Sequence, residues 1–381
     1  MTVLAVAAVS ARVLAEAASA DGFDVVALDL FGDADTRRAC SQWIPIGAAG
    51  SLQFDATRLL SSLGTLARRG DVVGWIAGSG FEGRPELLQR GAALLPLIGT
   101  SADAVRRVRD PRLFFEVLDA EGIAHPPVQM TPPADATGWL VKDARGCGGW
   151  HIRRAAPQPE PVGAHHYFQR EMQGAPMSAT FVANGSDACV LGFNQLIVRR
   201  FGTRPFVYCG VVGAVPLPGA VAGRISAAVR SLVAAFSLRG LGSLDFMLDG
   251  DELGVLEINP RPPASMVLYG KSCFHGATLG LVAAHVLACL QGELPKLSKP
   301  IANDTLQGSE IIFARRPVLL TETAARRLAE CGCHDLPVAQ TRFEAGDPLC
   351  SVSATGANAA QVRSLLDIAR EAVHQLLEIQ P

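Results

Sequence analysis

Lysine is scarce in this chain. Of 34 Lys and Arg residues only four are lysines, Lys142, Lys271, Lys296 and Lys299. A basic excess is lacking as well, since the 34 cations face 36 Asp and Glu for a formal net charge of −2. That balance argues against general nucleic-acid binding, which draws on surplus positive charge. No stretch of about 18 uninterrupted apolar residues occurs, so no membrane span is expected. The N-terminal run from Met1 to Ala20 lacks a basic leader, and Arg12 and Glu16 interrupt it, so it does not read as a signal peptide. The nine cysteines are dispersed. Their one close pair, Cys331-Gly-Cys333-His334, lacks the second half of a zinc site and reads as ordinary reduced thiols. No nucleophile elbow of the G-x-S-x-G kind and no Walker pattern is found. A soluble cytoplasmic protein is expected, with small-molecule partners, no nucleic acid and no membrane.

What is there suffices for buried cores. The chain has 381 residues, 49% hydrophobic and 18% charged, which suits two or three domains and disfavours disorder. The 38 glycines and 24 prolines are scattered and punctuate a compact fold. Val3 to Ala8 is a continuous apolar run, as in a parallel strand covered on both faces. Ser10 is placed to cap a helix over 11–20, and Gly22 to end it. Strands over 25–30 and 72–77 and a helix over 85–95 complete a small α/β domain. A helical segment over 103–120 follows, punctuated by Asp110-Pro111. From residue 139 the pattern turns to strands and hairpins. A long Ala/Val-rich helix is expected over 219–238 and a further helix over 276–290. Ser243–Leu248 and Leu253–Asn259 read as a hairpin joined at 249–252. Strands near 310–313 and 349–352 and a helix from about 357 to 377 form a last module. The fold class is therefore α/β and α+β, in four stretches at 1–98, 99–200, 201–300 and 301–381.

Three motifs stand out. Gly78-Ser-Gly80-Phe-Glu82-Gly83 follows a strand and resembles a dinucleotide fingerprint, but Arg84-Pro85 delays the helix, so a tight turn is the better reading. Glu82 in that turn either pairs with an incoming ammonium group or caps the helix at Pro85. Lys142 precedes a loop, Arg145-Gly146-Cys147-Gly148-Gly149, whose backbone N–H groups can approach phosphate oxygens while the lysine adds a point charge. Asp245, Glu257 and Asn259 are the sharpest set. Glu257 and Asn259 are two apart on one strand and share a face. With the hairpin centred near Asp251, Asp245 lies opposite Glu257. Oxygen ligands on one sheet face, completed by phosphates, suit Mg²⁺. Arg261 follows between prolines that hold it nearby. His165 and His166 point to opposite faces of a strand and read as surface residues.

The order of these motifs, with Gln169-Arg170-Glu171-Met172-Gln-Gly174 between them and Leu256-Glu257-Ile-Asn259-Pro-Arg261 at the end, resembles the ATP-grasp superfamily over nearly the whole chain. The resemblance implies the ATP-grasp fold with an N-terminal α/β domain. It implies ATP and Mg²⁺, with Mn²⁺ as an alternative, and an acyl phosphate that an amine displaces. Lys142 would touch the α- and β-phosphates and Gly146, Gly148 and Gly149 would close over them. Gln169, Arg170, Glu171 and Met172 would line the adenine. Asp245, Glu257 and Asn259 would hold the metal, and Arg261 would stabilise the transferring phosphate. The usual earlier lysine is absent, so Arg109 or Arg112 substitutes for it or the contact is missing, and Arg170 replaces a common acidic residue. Leu28 to Thr36, Gly78 to Glu82 and Phe206-Val-Tyr208-Cys-Gly210 look like the ATP-grasp proteins of the tetrahydromethanopterin-linked one-carbon pathway of methylotrophs. These are similar to the tyramine–glutamate ligases of methanofuran biosynthesis. That likeness implies a glutamyl amide of an aromatic amine as product. The alternatives are another dipeptide or glutamyl-tailing ligase, and a nucleotide-binding regulatory protein without catalysis. A homodimer is a reasonable expectation.

Overall fold

The computed structural model describes residues 2–47, 52–156, 163, 165–270, 274, 279–297 and 305–378. Its first sheet is wholly parallel. Strands β1 (Val3–Ala7), β2 (Asp24–Asp29), β3 (Gln42–Pro45) and β4 (Val72–Ala77) lie in the order β3-β2-β1-β4. Side-chain alternation along β1 explains its continuous apolar run. Leu4 and Val6 pack with Leu14 and Ala18 of the helix Arg12–Ala20 and with Leu281 of the helix Leu281–Leu290. Val3, Ala5 and Ala7 pack on the other side, with Leu59, Leu63 and Leu66 of the helix Ala56–Arg69. Both faces are covered, so neither needs polar residues.

Ser10 does not cap the first helix, whose N-cap is Ala11. Its hydroxyl instead donates to Asp335 at 3.2 Å, and Asp29 accepts the Ala11 N–H at 3.1 Å. The tertiary partner outcompetes the local one. Gly22 takes φ +89° just past the helix end, as expected. Helix Ala56–Arg69, bracketed by the Asp55 cap and Gly70 at φ +77°, was not anticipated. The segment 103–120 resolves into two helices, Ala102–Val108 and Pro111–Ala120, because Asp110 caps the second and Pro111 opens it. The helix expected over 276–290 is seen as Leu281–Leu290, and residues 275–278 lie outside the described residues.

A small antiparallel sheet follows, from β5 (Val128–Gln129), β6 (Trp139–Asp143), β7 (Ile152–Arg154) and β8 (His166–Arg170), in the order β5-β8-β6-β7. The long antiparallel sheet contains β9 (Ala175–Asn184), β10 (Ala188–Phe201), β11 (Arg204–Gly213), β12 (Arg239–Asp249), β13 (Glu252–Asn259), β14 (Leu306–Phe313) and β17 (Pro348–Gly356). Its order is β13-β12-β9-β10-β11-β14-β17. It carries strands from both sides of residues 200 and 300. A two-stranded ribbon pairs β15 (Val318–Leu319) with β16 (Arg342–Phe343). Helix Gly219–Phe236 is long and apolar enough to cross a membrane by length and composition alone. Here it buries Val221, Ile225, Leu232 and Phe236 in the core over the long sheet.

Candidate functional site

The hairpin β12–β13 sets two carboxylates face to face. Its turn has two residues, Gly250 and Asp251, because Asp249 pairs with Glu252, and Gly250 takes φ +57°. Regular pairing from that turn would put Leu256 opposite Asp245. A register shift between Asp245 and Phe246 leaves Leu256 as the extra residue and brings Glu257 opposite Asp245, with Asn259 opposite Ser243. The expected pairing is observed, through a bulge and not through a turn centred on Asp251. The Asn259 amide donates to Asp245 at 3.1 Å.

Lys142 comes from the other sheet. Its side chain is 4% exposed, and Nζ donates to Gln169 Oε1 at 2.5 Å across β6 and β8. Gln169 Nε2 is buried with no hydrogen-bond partner among the described residues. Burial pushes the Lys142 ammonium below the ordinary lysine range, against the pull of Glu257 and Asp245. For Glu257 burial opposes ionisation, but Arg109, His151, Lys142 and Arg261 together hold its carboxyl below the ordinary value. Asp245 goes the other way, raised to about 7 by burial and then by the charge of Glu257. Two carboxylates pressed together in this way form a donor set that a divalent cation would relieve, and their oxygens with that of Asn259 fit Mg²⁺. Among the described residues no group of three or more His, Cys, Asp and Glu is placed to hold a metal by itself. Oxygens of a ligand would have to complete the shell.

Arg109, not Arg112, reaches this cluster. Arg109 ends the helix Ala102–Val108 and donates to Ala144 O at 3.0 Å, to Gly146 O at 2.6 Å and to Glu257 at 3.4 Å. Arg112 is exposed on the next helix, beyond the break at Asp110. Strand alternation likewise turns Arg170 outward, onto Thr137 O at 2.9 Å, while Gln169 points in. Glu171 is bound by Arg154, and its N–H is taken by Gly138 O. Met172 sulfur packs on Gly254. His165 is exposed and His166 half-buried, and neither joins the cluster. His151 does. It was not anticipated, and no spacing signal marked it. Its ring lies over Gly146, where a Cβ would fall 2.2 Å from His151 Cβ, and burial lowers its pKa to about 4.

Glu82 does not cap the following helix, and its carboxylate is engaged by Arg261. The cap of the helix Pro85–Ala92 is Arg84. Glu82 is 3% exposed and accepts from Arg261 Nε at 2.6 Å and from the Gly80 N–H at 2.7 Å. Burial would raise its pKa, but Arg261 outweighs burial and holds it below the ordinary value. The turn after β4 is thereby tied to the segment after β13.

The sign of the Asp245 shift yields a test. A carboxyl raised on folding keeps a proton that the unfolded chain has already released between 3.8 and about 7. Its contribution to stability therefore falls as pH rises through that window and stays low above it. A divalent cation competes with the proton for the same oxygens. Thermal melts with and without Mg²⁺ are expected to show a stabilisation that grows between about pH 5 and about pH 8. Asp245→Asn should remove that growth. A Mg²⁺ effect independent of pH would place the cation elsewhere.

The sequence model of the ATP-grasp domain family matches residues 108–265. The large chain of carbamoyl phosphate synthase from Thermoplasma volcanium is 24% identical over 221 residues, which is 53% of this chain and 21% of that protein. The same enzyme chain from Thermomicrobium roseum is 25% identical over 200 residues, 47% of this chain and 18% of that protein. The chain thus spans about a fifth of the length of these curated relatives. Among solved structures, an L-amino acid ligase from Bacillus licheniformis superposes with a TM-score of 0.70 at 13% identity, covering 97% of each chain. Carboxyaminoimidazole ribonucleotide synthase from Aspergillus clavatus, complexed with ATP, gives 0.66 at 14% identity over 98% of each chain. Residues 108–265 thus match the ATP-grasp domain model, and the chain as a whole has the ATP-grasp fold.

Proposed function

We propose that this chain is an ATP-dependent carboxylate–amine ligase that forms an amide through an acyl phosphate and releases ADP. The observation that carries the reading is the cross-strand pair Asp245 and Glu257, with Asn259, facing the buried Lys142 from a different sheet. Two carboxylates and a cation held at such close quarters are costly unless a polyanion and a metal use them. In the first step a carboxylate oxygen of the acid attacks the γ-phosphorus of ATP, and the bond to the β-phosphate oxygen breaks. In the second the amine nitrogen attacks the acyl carbon, loses a proton and expels phosphate. Lys142 meets the nucleotide phosphates, and the loop Gly146–Gly149 covers them. Gln169, Glu171 and Met172 line the base, and Arg170 does not. Arg109 takes the place of the missing early lysine by holding the loop and Glu257 in one arrangement. Arg261 neutralises charge on the transferring group and is aimed by Glu82. Mg²⁺ or Mn²⁺ held by Asp245, Glu257 and Asn259 would neutralise charge on the migrating phosphoryl group.

The finer reading is that the acid is glutamate and the amine is tyramine or a related aromatic amine, as in methylofuran-type cofactor biosynthesis. It is supported by the likeness of residues 28–36, 78–82 and 206–210 to that group. The ends of β2 and β4, where two of these segments lie, are also where open parallel sheets bind ligands. The test is a screen of amines against glutamate, reading ADP and product mass. ADP release that needs both substrates supports the ligase. Nucleotide binding without any such release would favour a regulatory nucleotide-binding protein. Turnover with other acids only would retain the ligase and discard glutamate.

A further inference from the structure

The phosphate-facing lysine is closed off in this structure. Lys142 is 4% and Gln169 1% exposed, so a nucleotide reaches them only if a covering element moves. The loop that follows Lys142 in the chain is held by its backbone by three separate parts of the molecule. Tyr208 N–H donates to Gly148 O at 2.9 Å. A Cβ on Gly149 would fall 1.8 Å from Phe206 O, so the loop lies directly on β11. Arg109 holds Gly146 O, and the Arg145 carbonyl abuts Gly83 in the turn after β4. Gly148 and Gly149 sit at φ +63° and +78°, where glycine has no steric preference to stay.

Trp150 is the next residue. Its ring lies 5.4 Å from that of Phe201 and 5.9 Å from that of Phe313, and those two rings are 5.0 Å apart. Phe201 ends β10 and Phe313 ends β14. The seat is thus made in part by the C-terminal module, whose role the sequence left open. At 40% exposure the indole contributes little to the core.

We propose that Trp150 is a positioning residue for the nucleotide: its indole, seated on Phe201 and Phe313, latches the Gly146–Gly149 loop shut over the site, and leaving that seat opens it. The proposal rests on the nucleotide-binding reading above. It is tested on the full-length protein with Mg²⁺–ADP as probe, by stopped-flow tryptophan fluorescence and calorimetry, on wild type, Trp150→Ala, Trp150→Phe and Phe313→Leu. Loss of two ring contacts should speed ADP release about tenfold in Trp150→Ala. The KM for ATP should rise with kcat little changed, the melting temperature should stay near that of wild type, and Trp150→Phe should recover most of the effect. Phe313→Leu leaves the indole in place and should move release in the same direction, which keeps the test open if Trp150→Ala folds poorly. Release rates in Trp150→Ala and Phe313→Leu equal to wild type would overturn the latch and leave the nucleotide reading standing. Wild type that binds no Mg²⁺–ADP would overturn both.

Discussion

Glu257→Gln is expected to lower turnover by at least about 10³-fold while the protein stays folded. Gln preserves the shape of the side chain and its contact with Arg109 Nη1, which is 3.4 Å away in the native pair. What it removes is the charge that a metal ion and a migrating phosphoryl group would use. The stability effect should be small because two terms oppose each other. Arg109 loses part of its counter-charge, which costs stability. Asp245, raised to about 7 partly by Glu257, is relieved of its repulsive neighbour, which restores some. Initial rates of ADP release at saturating substrates, paired with thermal melts, decide the matter. If Mg²⁺-dependent ADP production stays near normal in the variant, the metal lies elsewhere.

Lys142→Ala is expected to weaken nucleotide binding by roughly tenfold to 150-fold, the equivalent of about 1.5–3 kcal/mol for one hydrogen bond to a charged group. Calorimetry with Mg²⁺–ATP measures it directly. The fold should survive. The mutation leaves Gln169 Oε1 without its donor, and Gln169 Nε2 already lacks an acceptor among the described residues. It also removes an ammonium group that burial disfavours, and the vacated space can admit water to the orphaned amide. Lys142→Met separates the effects, since it fills the space without the charge. It should bind nucleotide as poorly as the alanine variant but melt closer to wild type. Unchanged affinity in both would remove Lys142 from the phosphate site.

Some of this was legible because it is local. Val72–Ala77 could be read to the residue, since an apolar run bounded by turn residues admits one assignment. Glu257 and Asn259 share a face by strand periodicity alone. The Asp245–Glu257 pairing was legible only in outcome, because the bulge at Leu256 that produces it leaves no mark in composition. Arg109 and Arg112 could not be told apart in one dimension. They are three residues apart, but the helix breaks at Asp110 and sends them to different surroundings.

By itself the sequence determined the strands near 3–8, 25–30 and 72–77 with the helices that flank two of them, the strand that presents Glu257 and Asn259, and the glycine loop after Lys142. These follow from side-chain periodicity and backbone freedom over a few residues. Only the tertiary structure decided that Glu82 pairs with Arg261, 179 positions away, and does not cap the helix at Pro85. Only it brought Lys142 and Arg109 to Glu257, set His151 over Gly146 and seated Trp150 on Phe201 and Phe313. Except for His151 on Gly146, these contacts join groups distant along the chain, and they form because a charge or ring takes the partner that packing brings to it.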